Sequence, residues 1–407
     1  MRPYLKFSII VIISGMICAH ALAGEQDLAP EKEFTLGSEI DSAWIAGMEH
    51  MYRLDFDKAE NEFKKIHSFN PEHPAGDLAI AGLKWWKFSQ NFDDPTADKE
   101  TFEKEFTAQA QKTIEKCEKF TENTGDDNPE NATYYFIMGT AYGLIGRWHG
   151  LERNWWSAYK YGTKGRKYLK KAVKLNPQIY DAYAGIGMFN YYADTLPGIL
   201  KFPALFLVRG SKKKGLEQLD IAIKKGKFFS TETKIFLIEI LTRYEKDNDR
   251  AIAIAREIKS KEPENPFFCI IKILTLLKSD RWQEVIEETK QFLKMYATSD
   301  KASVQQQMAL VYLATGDAYV MEKRYSLALD TFKRCNEKMV FPNKAWVTLC
   351  HLRTGQIYDI FGNREKALLQ YQIAYERPDM WKSQKYARIG LKRPYEIDEI
   401  EYQILQE

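Results

Sequence analysis

The chain has 407 residues, of which 45% are hydrophobic and 14% aromatic, so it can bury a large core. Only 14 prolines and 23 glycines interrupt it, which excludes collagen-like and disordered classes and favours long helices. The formal net charge of +3 is an average that hides a basic middle, because residues 153–227 contain 16 Lys and Arg and four acidic residues. We interpret these lysines as solvated helix faces and expect no nucleic-acid partner.

The N-terminus has the features of a secretory signal peptide over residues 1–23. Arg2 and Lys6 supply positive charge, residues 9–18 are apolar, and Ala21-Leu22-Ala23 fits a cleavage site. An uncleaved anchor helix is the alternative, but the apolar run is shorter than the roughly 20 residues that a membrane span requires. The sequence therefore predicts export to the periplasm or cell surface of a bacterial host, with residues 24–39 as a linker.

A pattern of small and large residues recurs with a 34-residue frame. Small residues let two helices approach closely, large apolar residues fill the space between neighbouring pairs, and a proline ends the second helix. The strongest copies start at Ile40, Ala309 and Thr348, and they place these residues at the pattern's positions: Gly47, Ala59, Phe63, Ile66 and Pro71; Gly316, Tyr319, Ala328, Phe332 and Cys335; Gly355, Tyr358, Ala367, Tyr371 and Ala374.

Weaker copies fill the rest of the chain. Residues 232–265 and 266–299 abut in the same frame, and two further copies starting near Gly139 and Gly187 are split by insertions. A degenerate pair has helices around 75–88, with Gly82 at the small position, and around 100–121. In these registers the chain resembles the tetratricopeptide-repeat family over about 340 residues.

The resemblance implies an all-α fold, a right-handed α-solenoid of about seven to eight helix pairs. An unrelated helical bundle is the alternative that amphipathic helices alone would allow. The expected organisation is an N-terminal half with insertions, a regular C-terminal half, and a capping helix with a tail. Their boundaries are 40–230 (with insertions at 90–98, 147–161 and 193–210), 231–379 and 380–407.

In this family the first helix of each pair, helix A, lines a concave groove. The resemblance therefore implies partner-binding positions on helix A of the N-terminal half, where tryptophan and methionine are concentrated. Such side chains suit the docking of an apolar peptide, although filling the core between helices is the alternative for each of them. The candidate residues are Trp44, Met48, Met51, Trp86, Tyr191 and Tyr192.

Two insertions have unusual compositions. Residues 147–161 could form a platform for an aromatic ligand or sugar, but we favour elongated helices with a buried aromatic face. Residues 193–210 interrupt an apolar run with two prolines and weakly resemble a segment of the tetratricopeptide-repeat 39 family. This segment could cover a groove or contact a membrane, and we favour a loop packed over the solenoid.

The sequence contains no motif for catalysis, metal binding or cofactor binding, such as H-E-x-x-H, G-x-S-x-G, a P-loop or C-x-x-C. We therefore expect no catalytic residue, no metal and no cofactor. The predicted function is a non-catalytic exported scaffold that binds a protein or peptide partner, with envelope proteins as candidates. The alternative is a carrier or sensor of an apolar ligand or lipid that uses residues 193–210. A disulfide between Cys335 and Cys350 stays open.

Overall fold

The computed structural model describes residues 33–91, 94–195, 210–338, 341, 343–379 and 381–396. The predicted signal peptide and most of the 193–210 insertion lie outside these ranges. The chain divides into two units at Phe34, and all the described helices belong to the second unit. Within the described ranges the regular structure is entirely helical, which confirms the predicted all-α class.

Eight antiparallel helix pairs follow one another along the chain. They are α1 (Ser38–Tyr52) with α2 (Phe56–Phe69), α3 (Pro74–Ser89) with α4 (Lys99–Thr124), α5 (Asn131–Leu151) with α6 (Trp155–Leu175), α7 (Ala182–Thr195) with α8 (Lys212–Lys225), α9 (Ser230–Ile240) with α10 (Asn248–Lys261), α11 (Pro266–Lys278) with α12 (Trp282–Tyr296), α14 (Met308–Met321) with α15 (Tyr325–Lys338), and α16 (Ala345–Ile360) with α17 (Arg364–Glu376). A short α13 (Ala302–Gln305) precedes the seventh pair, and α18 (Ser383–Lys392) follows the eighth.

The predicted small-to-large contacts hold the helices of a pair together. A Cβ atom added at Gly316 would lie 2.1 Å from Phe332, and one added at Gly47 would lie 2.2 Å from Phe63. In these two pairs, helix A therefore rests directly on an aromatic ring of the second helix. Gly82 is different, because a Cβ added there would meet nothing within 4 Å. Its prediction as the small contact residue of the second pair was wrong.

The turn between the helices of a pair recurs along the chain with one conformation. One turn residue has a positive φ in six of the pairs: Leu54, Arg153, Lys246, Asp280, Lys323 and Gly362. The next residue donates its amide hydrogen back to helix A, as Arg324 N does to Tyr319 O at 2.8 Å. This left-handed turn satisfies carbonyl groups at the end of helix A, and it gives successive pairs a similar geometry.

The 147–161 insertion lengthens two helices. α5 and α6 have 21 residues each, in agreement with the favoured interpretation. Trp148 is buried as expected. The expectation of a buried aromatic face fails at the start of α6, where the side chains of Trp155 and Trp156 are 46% and 67% exposed. These two positions lie in the first turn of α6, where they are solvent-accessible.

The coil of helix pairs returns on itself. The turn after α1 forms ion pairs with much later pairs: Arg53 Nε lies 2.7 Å from Glu262, and Lys301 Nζ lies 2.8 Å from Asp55. Further along, the buried Nζ of Lys344 donates hydrogen bonds of 3.1 Å to the loop that follows α3. The first two pairs therefore contact the fifth to eighth pairs.

The four cysteines in the described residues, Cys117, Cys269, Cys335 and Cys350, are buried free thiols. Cys335 and Cys350 are neighbours, and the Cys335 thiol also contacts the Ala309 carbonyl oxygen at 3.8 Å. Both thiols therefore serve as packing groups between α15 and α16.

Glycine substitutions test the register of the pairs. We expect Gly47→Ala to lower the free energy of unfolding by about 1–3 kcal/mol, because the new methyl group would collide with Phe63. We expect Gly82→Ala to raise it by about 0.5–1 kcal/mol, because alanine is a better helix former and the site is open. Urea unfolding of both variants measures the difference. Equal effects of the two changes would contradict the register.

Candidate functional site

The six predicted partner-binding residues lie on the inner side of the coil, but four of them are covered. Trp44, Met48, Met51 and Tyr191 are each 8% exposed or less. Trp86 and Tyr192 are half-buried. Of the six predicted partner-binding residues, only Trp86 and Tyr192 are accessible to a partner in this conformation.

Trp44 is covered by the segment that leads into α9. Its ring centroid lies 6.0 Å from the rings of Phe228 and Phe229, with both contacts edge-to-face. On its other side the ring meets Phe63 of its own helix pair at 6.2 Å. Nearby, Lys227 Nζ forms an ion pair of 3.0 Å with Asp41 of α1. The inner face of α1 is therefore occupied by the chain itself.

The end of α1 and the end of α3 both pack against the start of α11. Tyr52 meets Phe268 at a centroid distance of 5.5 Å, and Trp86 meets Phe267 at 5.1 Å. Tyr52 and Trp86 also contact each other edge-to-face at 5.7 Å. The two contacts with α11 join helix A surfaces that are about 180 residues or more apart in sequence, and they close this part of the groove.

Tyr191 and Tyr192 belong to a second aromatic cluster, between α7 and α9 with the π-helical turn Leu241–Glu245 that continues α9. The Tyr191 hydroxyl donates a hydrogen bond to Glu245. Tyr192 contacts Phe236 at 5.6 Å and Tyr244 at 5.9 Å. Because Tyr192 keeps part of its surface exposed, this cluster borders the solvent on the inner side of the coil.

Arg147 extends into the same inner region from α5. Its guanidinium carbon lies 4.9 Å from the Trp85 ring centroid and 5.6 Å from that of Phe236. The side chain has solvent-accessible surface, yet the protein packed around the guanidinium lowers the pKa of Arg147 by desolvation. No described carboxylate forms an ion pair with it, although Glu239 and Glu232 lie near enough to oppose the shift.

Further charged side chains of this region are Glu232, Glu239, Lys278 and Arg243, which lies 3.9 Å from Glu239. Burial raises the pKa of Glu232 to about 7, although the Tyr52 hydroxyl hydrogen-bonds to the carboxylate. Burial also lowers the pKa of Lys278, with Glu239 opposing that shift. We call the following set the inner cluster: Trp85, Arg147, Tyr192, Glu232, Phe236, Glu239 and Lys278.

Sequence reasoning missed most of the inner cluster. A signal was present at Arg147, because α5 is otherwise apolar or neutral apart from His149 near its end. A lone arginine in an apolar helix either pairs with an acid or faces water. The sequence alone could not place Glu232 and Lys278 beside it, since they come from α9 and α11.

Glu232 makes stability depend on pH. Its pKa is about 7 in the folded protein and near 4.5 in the unfolded chain, so the folded state binds the extra proton. This contribution to stability is full below pH 4.5 and is lost as the pH rises through 7. We therefore expect Glu232→Gln to be more stable than wild type by about 1–3 kcal/mol at pH 8 and nearly equal at pH 5.

Urea unfolding at both pH values measures the effect of Glu232→Gln. Glu122→Gln is the control, because Glu122 is exposed on α4. A stability difference between Glu232→Gln and wild type that stays the same at pH 5 and pH 8 would contradict the assignment of the proton to Glu232.

No group of three or more His, Cys, Asp or Glu is placed to hold a metal ion in the ranges that the structure covers. Among the same residues, no helix is long and apolar enough to cross a membrane. The carrier alternative depends on the 193–210 insertion, and residues 196–209 of that insertion lie outside the described ranges.

No family model and no curated protein matches the chain in sequence. Solved structures are similar to it in fold. The Pseudomonas aeruginosa protein pilF is 14% identical, with 64% of this chain and 99% of that chain covered and a TM-score of 0.38. Human IFIT1, solved as a dimer with PPP-AAAA, is 12% identical, with coverages of 78% and 67% and a TM-score of 0.44.

A tetratricopeptide repeat protein from Parabacteroides merdae is 11% identical, with coverages of 88% and 98% and a TM-score of 0.31. These low identities and scores carry no information about function. The internal geometry is more specific, because six of the eight helix pairs have the same left-handed turn, and the first and seventh pairs share the glycine-to-phenylalanine contact of Gly47 and Gly316. This geometry makes the described chain an all-α solenoid of helix pairs, the fold that tetratricopeptide repeats adopt.

Proposed function

We propose that the protein is a non-catalytic scaffold that binds a segment of a partner protein on the inner side of its coil. Stacked helix pairs generate extended concave surfaces, and repeat proteins use such surfaces for binding. The inner side of this coil is partly closed by its own aromatic contacts. The proposed binding surface is therefore the inner cluster, where solvent still reaches Arg147 and Lys278.

The observation that carries the proposal is the environment of Arg147. The guanidinium is solvent-exposed and stacks on Trp85 and Phe236, and no described carboxylate pairs with it. Surroundings that lower its pKa make an unpaired charge costly. A bound carboxylate would relieve that cost, and half-buried Tyr192 and Phe236 offer apolar contact beside it. The favoured ligand is therefore a segment with an acidic residue next to an apolar one.

Export is also part of the proposal, on the strength of the features of residues 1–23. Its test is the intact mass of the protein isolated from its host. A mature chain that begins at Gly24 supports export and an envelope partner. A chain that retains residues 1–23 and fractionates with the cytoplasm overturns this part.

Affinity capture from the envelope of the host, followed by mass spectrometry, tests the binding surface. We expect the double variant Arg147→Ala/Tyr192→Ala to bind the captured partner about 30-fold more weakly, the loss that corresponds to about 2 kcal/mol at a hot spot. Circular dichroism should show unchanged helicity.

The matched control is Tyr358→Ala/Lys366→Ala, a cation and tyrosine pair 5.7 Å apart in the eighth helix pair. This change removes similar side chains far along the chain. Unchanged binding by the Arg147/Tyr192 variant, together with lost binding by the control, would move the partner site to the C-terminal pairs.

A further inference from the structure

A second exposed surface lies on the outer helix of the third pair, α6. This helix has seven Lys and Arg and no acidic residue among its 21 residues. At 100° per residue, the side chains of Trp156, Lys160, Lys164, Lys167 and Lys170 fall on one side of the helix. All five are exposed, and they extend for about 20 Å along the axis. We call these five residues the α6 stripe.

The lysines of the α6 stripe are not neutralised by described acidic groups. Lys160, Lys164 and Lys167 lie over the rings of Tyr161, Tyr142 and Tyr168 at 5.0–5.9 Å, so their charges remain. The ion pairs of α6 lie next to the C-terminal end of the stripe, where Lys171 contacts Asp126 at 2.8 Å and Lys174 contacts Asp127 at 3.4 Å, and Asp126 also interacts electrostatically with Lys167.

Other cations reinforce the stripe. The pKa of Lys170 is lowered by burial and by the nearby positive charges of Arg166 and Lys214. Lys214 belongs to α8, so the two neighbouring outer helices bring like charges together. Like charges repel each other at this distance, and an anionic surface would remove that repulsion. Charge complementarity therefore favours a partner with many negative charges.

The last residue of α5 and the first turn of α6 add exposed apolar side chains at one end of the stripe. Leu151, Trp155 and Trp156 are 48%, 46% and 67% exposed. Tryptophan prefers the boundary between lipid headgroups and acyl chains, and basic side chains beside it attract anionic headgroups. Leucine gains from hydrocarbon but offers no ring for a nucleic-acid base to stack on. The combination fits a lipid surface better than RNA or an acidic protein.

We propose that the α6 stripe, with Leu151 and Trp155, docks the protein on the surface of a bilayer that contains anionic phospholipid. The helix would lie along the headgroups with the α5–α6 turn inserted at their inner boundary. Docking here leaves the inner cluster free, because that cluster faces the inside of the coil. The membrane surface and a protein segment could therefore be bound at the same time.

Flotation of the full-length protein with vesicles tests the proposal. We expect it to float with vesicles of phosphatidylcholine containing 30% phosphatidylglycerol at low salt, and to stay behind with phosphatidylcholine alone. The triple variant Lys160→Gln/Lys164→Gln/Lys167→Gln should reduce partitioning at least tenfold, because each lysine near an anionic surface contributes to attraction. The double variant Trp155→Ser/Trp156→Ser should also reduce it at least tenfold.

Matched controls separate this surface from general charge and apolarity. Lys58→Gln/Lys64→Gln/Lys65→Gln removes the same charge from exposed positions of α2, and Leu369→Ser removes a side chain that is 59% exposed on α17. Both controls should partition like wild type. All the substituted residues are exposed, so melting curves should be unchanged.

Three results would overturn the proposal. One is the absence of flotation with anionic vesicles, and another is equal loss in the α2 control and the α6 variant. The third is binding to poly(U) RNA or to polyglutamate that is as strong as binding to vesicles, which would indicate a nucleic-acid or acidic-protein surface. Unchanged partitioning of both α6 variants also meets the second condition, because the α6 variants then lose no more than the α2 control does.

Discussion

Replacing Trp44 by alanine is expected to lower the free energy of unfolding by about 3–5 kcal/mol, the usual cost of emptying a buried tryptophan site. The ring is 4% exposed and contacts Phe63, Phe228 and Phe229. Its indole nitrogen has no hydrogen-bond partner in the described part of the chain, so the loss comes from packing alone. Urea or thermal unfolding measures the effect.

The Trp44 result distinguishes two interpretations of the inner face of α1. If Trp44 were an exposed contact for a partner, as the repeat pattern suggested, its removal would weaken binding and leave stability intact. The closed coil predicts the opposite. Trp156→Ala is the matched control, because that ring is 67% exposed and its loss should change stability by no more than about 0.5 kcal/mol. Similar stability losses in the two variants would contradict the closed coil.

The sequence predicts the helix pairs well because their contacts are local. Gly316 and Phe332 are 16 residues apart, and the copies that start at Ile40 and Thr348 repeat that spacing. A small residue on one helix leaves room for a large ring on the other. The spacing of these two residues in the sequence therefore predicts which side chains are in contact. Gly82 marks the limit of this reasoning, since a glycine inside a helix also occurs where no neighbour approaches.

The closing contacts could not be predicted in the same way. Arg53 and Glu262 are 209 residues apart, and they meet because small rotations between successive pairs add up over four repeats. No single repeat encodes that sum. The pattern predicts Trp44 on the inner face of helix A, but whether water or another part of the chain covers that face depends on the accumulated rotation.

The exposed tryptophans of α6 show a different limit. Aromatic residues in a long amphipathic helix usually face the core, and Trp148 does. Trp155 and Trp156 belong to the first turn of α6, where the two elongated helices reach solvent. The sequence shows the insertion but does not show how far neighbouring helices extend, and this extent decides which aromatic side chains are covered.

Replacing Asp77 by alanine is expected to lower the free energy of unfolding by about 2–3 kcal/mol at pH 7, because it removes the charge-assisted contacts that a buried carboxylate makes with two lysines. Asp77 lies on α3 and is fully buried. Lys116 Nζ and Lys112 Nζ approach its carboxylate from α4 at 2.7 Å and 2.9 Å. Gln109 donates a further hydrogen bond of 2.8 Å, so one carboxylate organises the second helix pair.

The Asp77 effect should depend on pH with a defined sign. Burial alone would raise the pKa of Asp77, but the hydrogen bonds from Lys116 and Lys112 outweigh it and hold the pKa below 3.8. The folded state thus favours the ionised form, and its stabilisation is present above pH 3.8 and lost as the pH falls through the folded pKa. Wild type and Asp77→Ala should therefore differ most at neutral pH and converge near the acid limit.

Glu105→Ala is the matched control for Asp77→Ala. It breaks an ion pair between the same two helices, from Lys84 to Glu105, but these side chains are 33% and 56% exposed. A surface pair of this kind contributes at most about 1 kcal/mol, and salt screens it. Urea unfolding at pH 7 and pH 3, with and without added salt, compares the two. If Asp77→Ala costs no more than Glu105→Ala, or if its cost persists unchanged at pH 3, the buried carboxylate does not hold α3 and α4 together by charge.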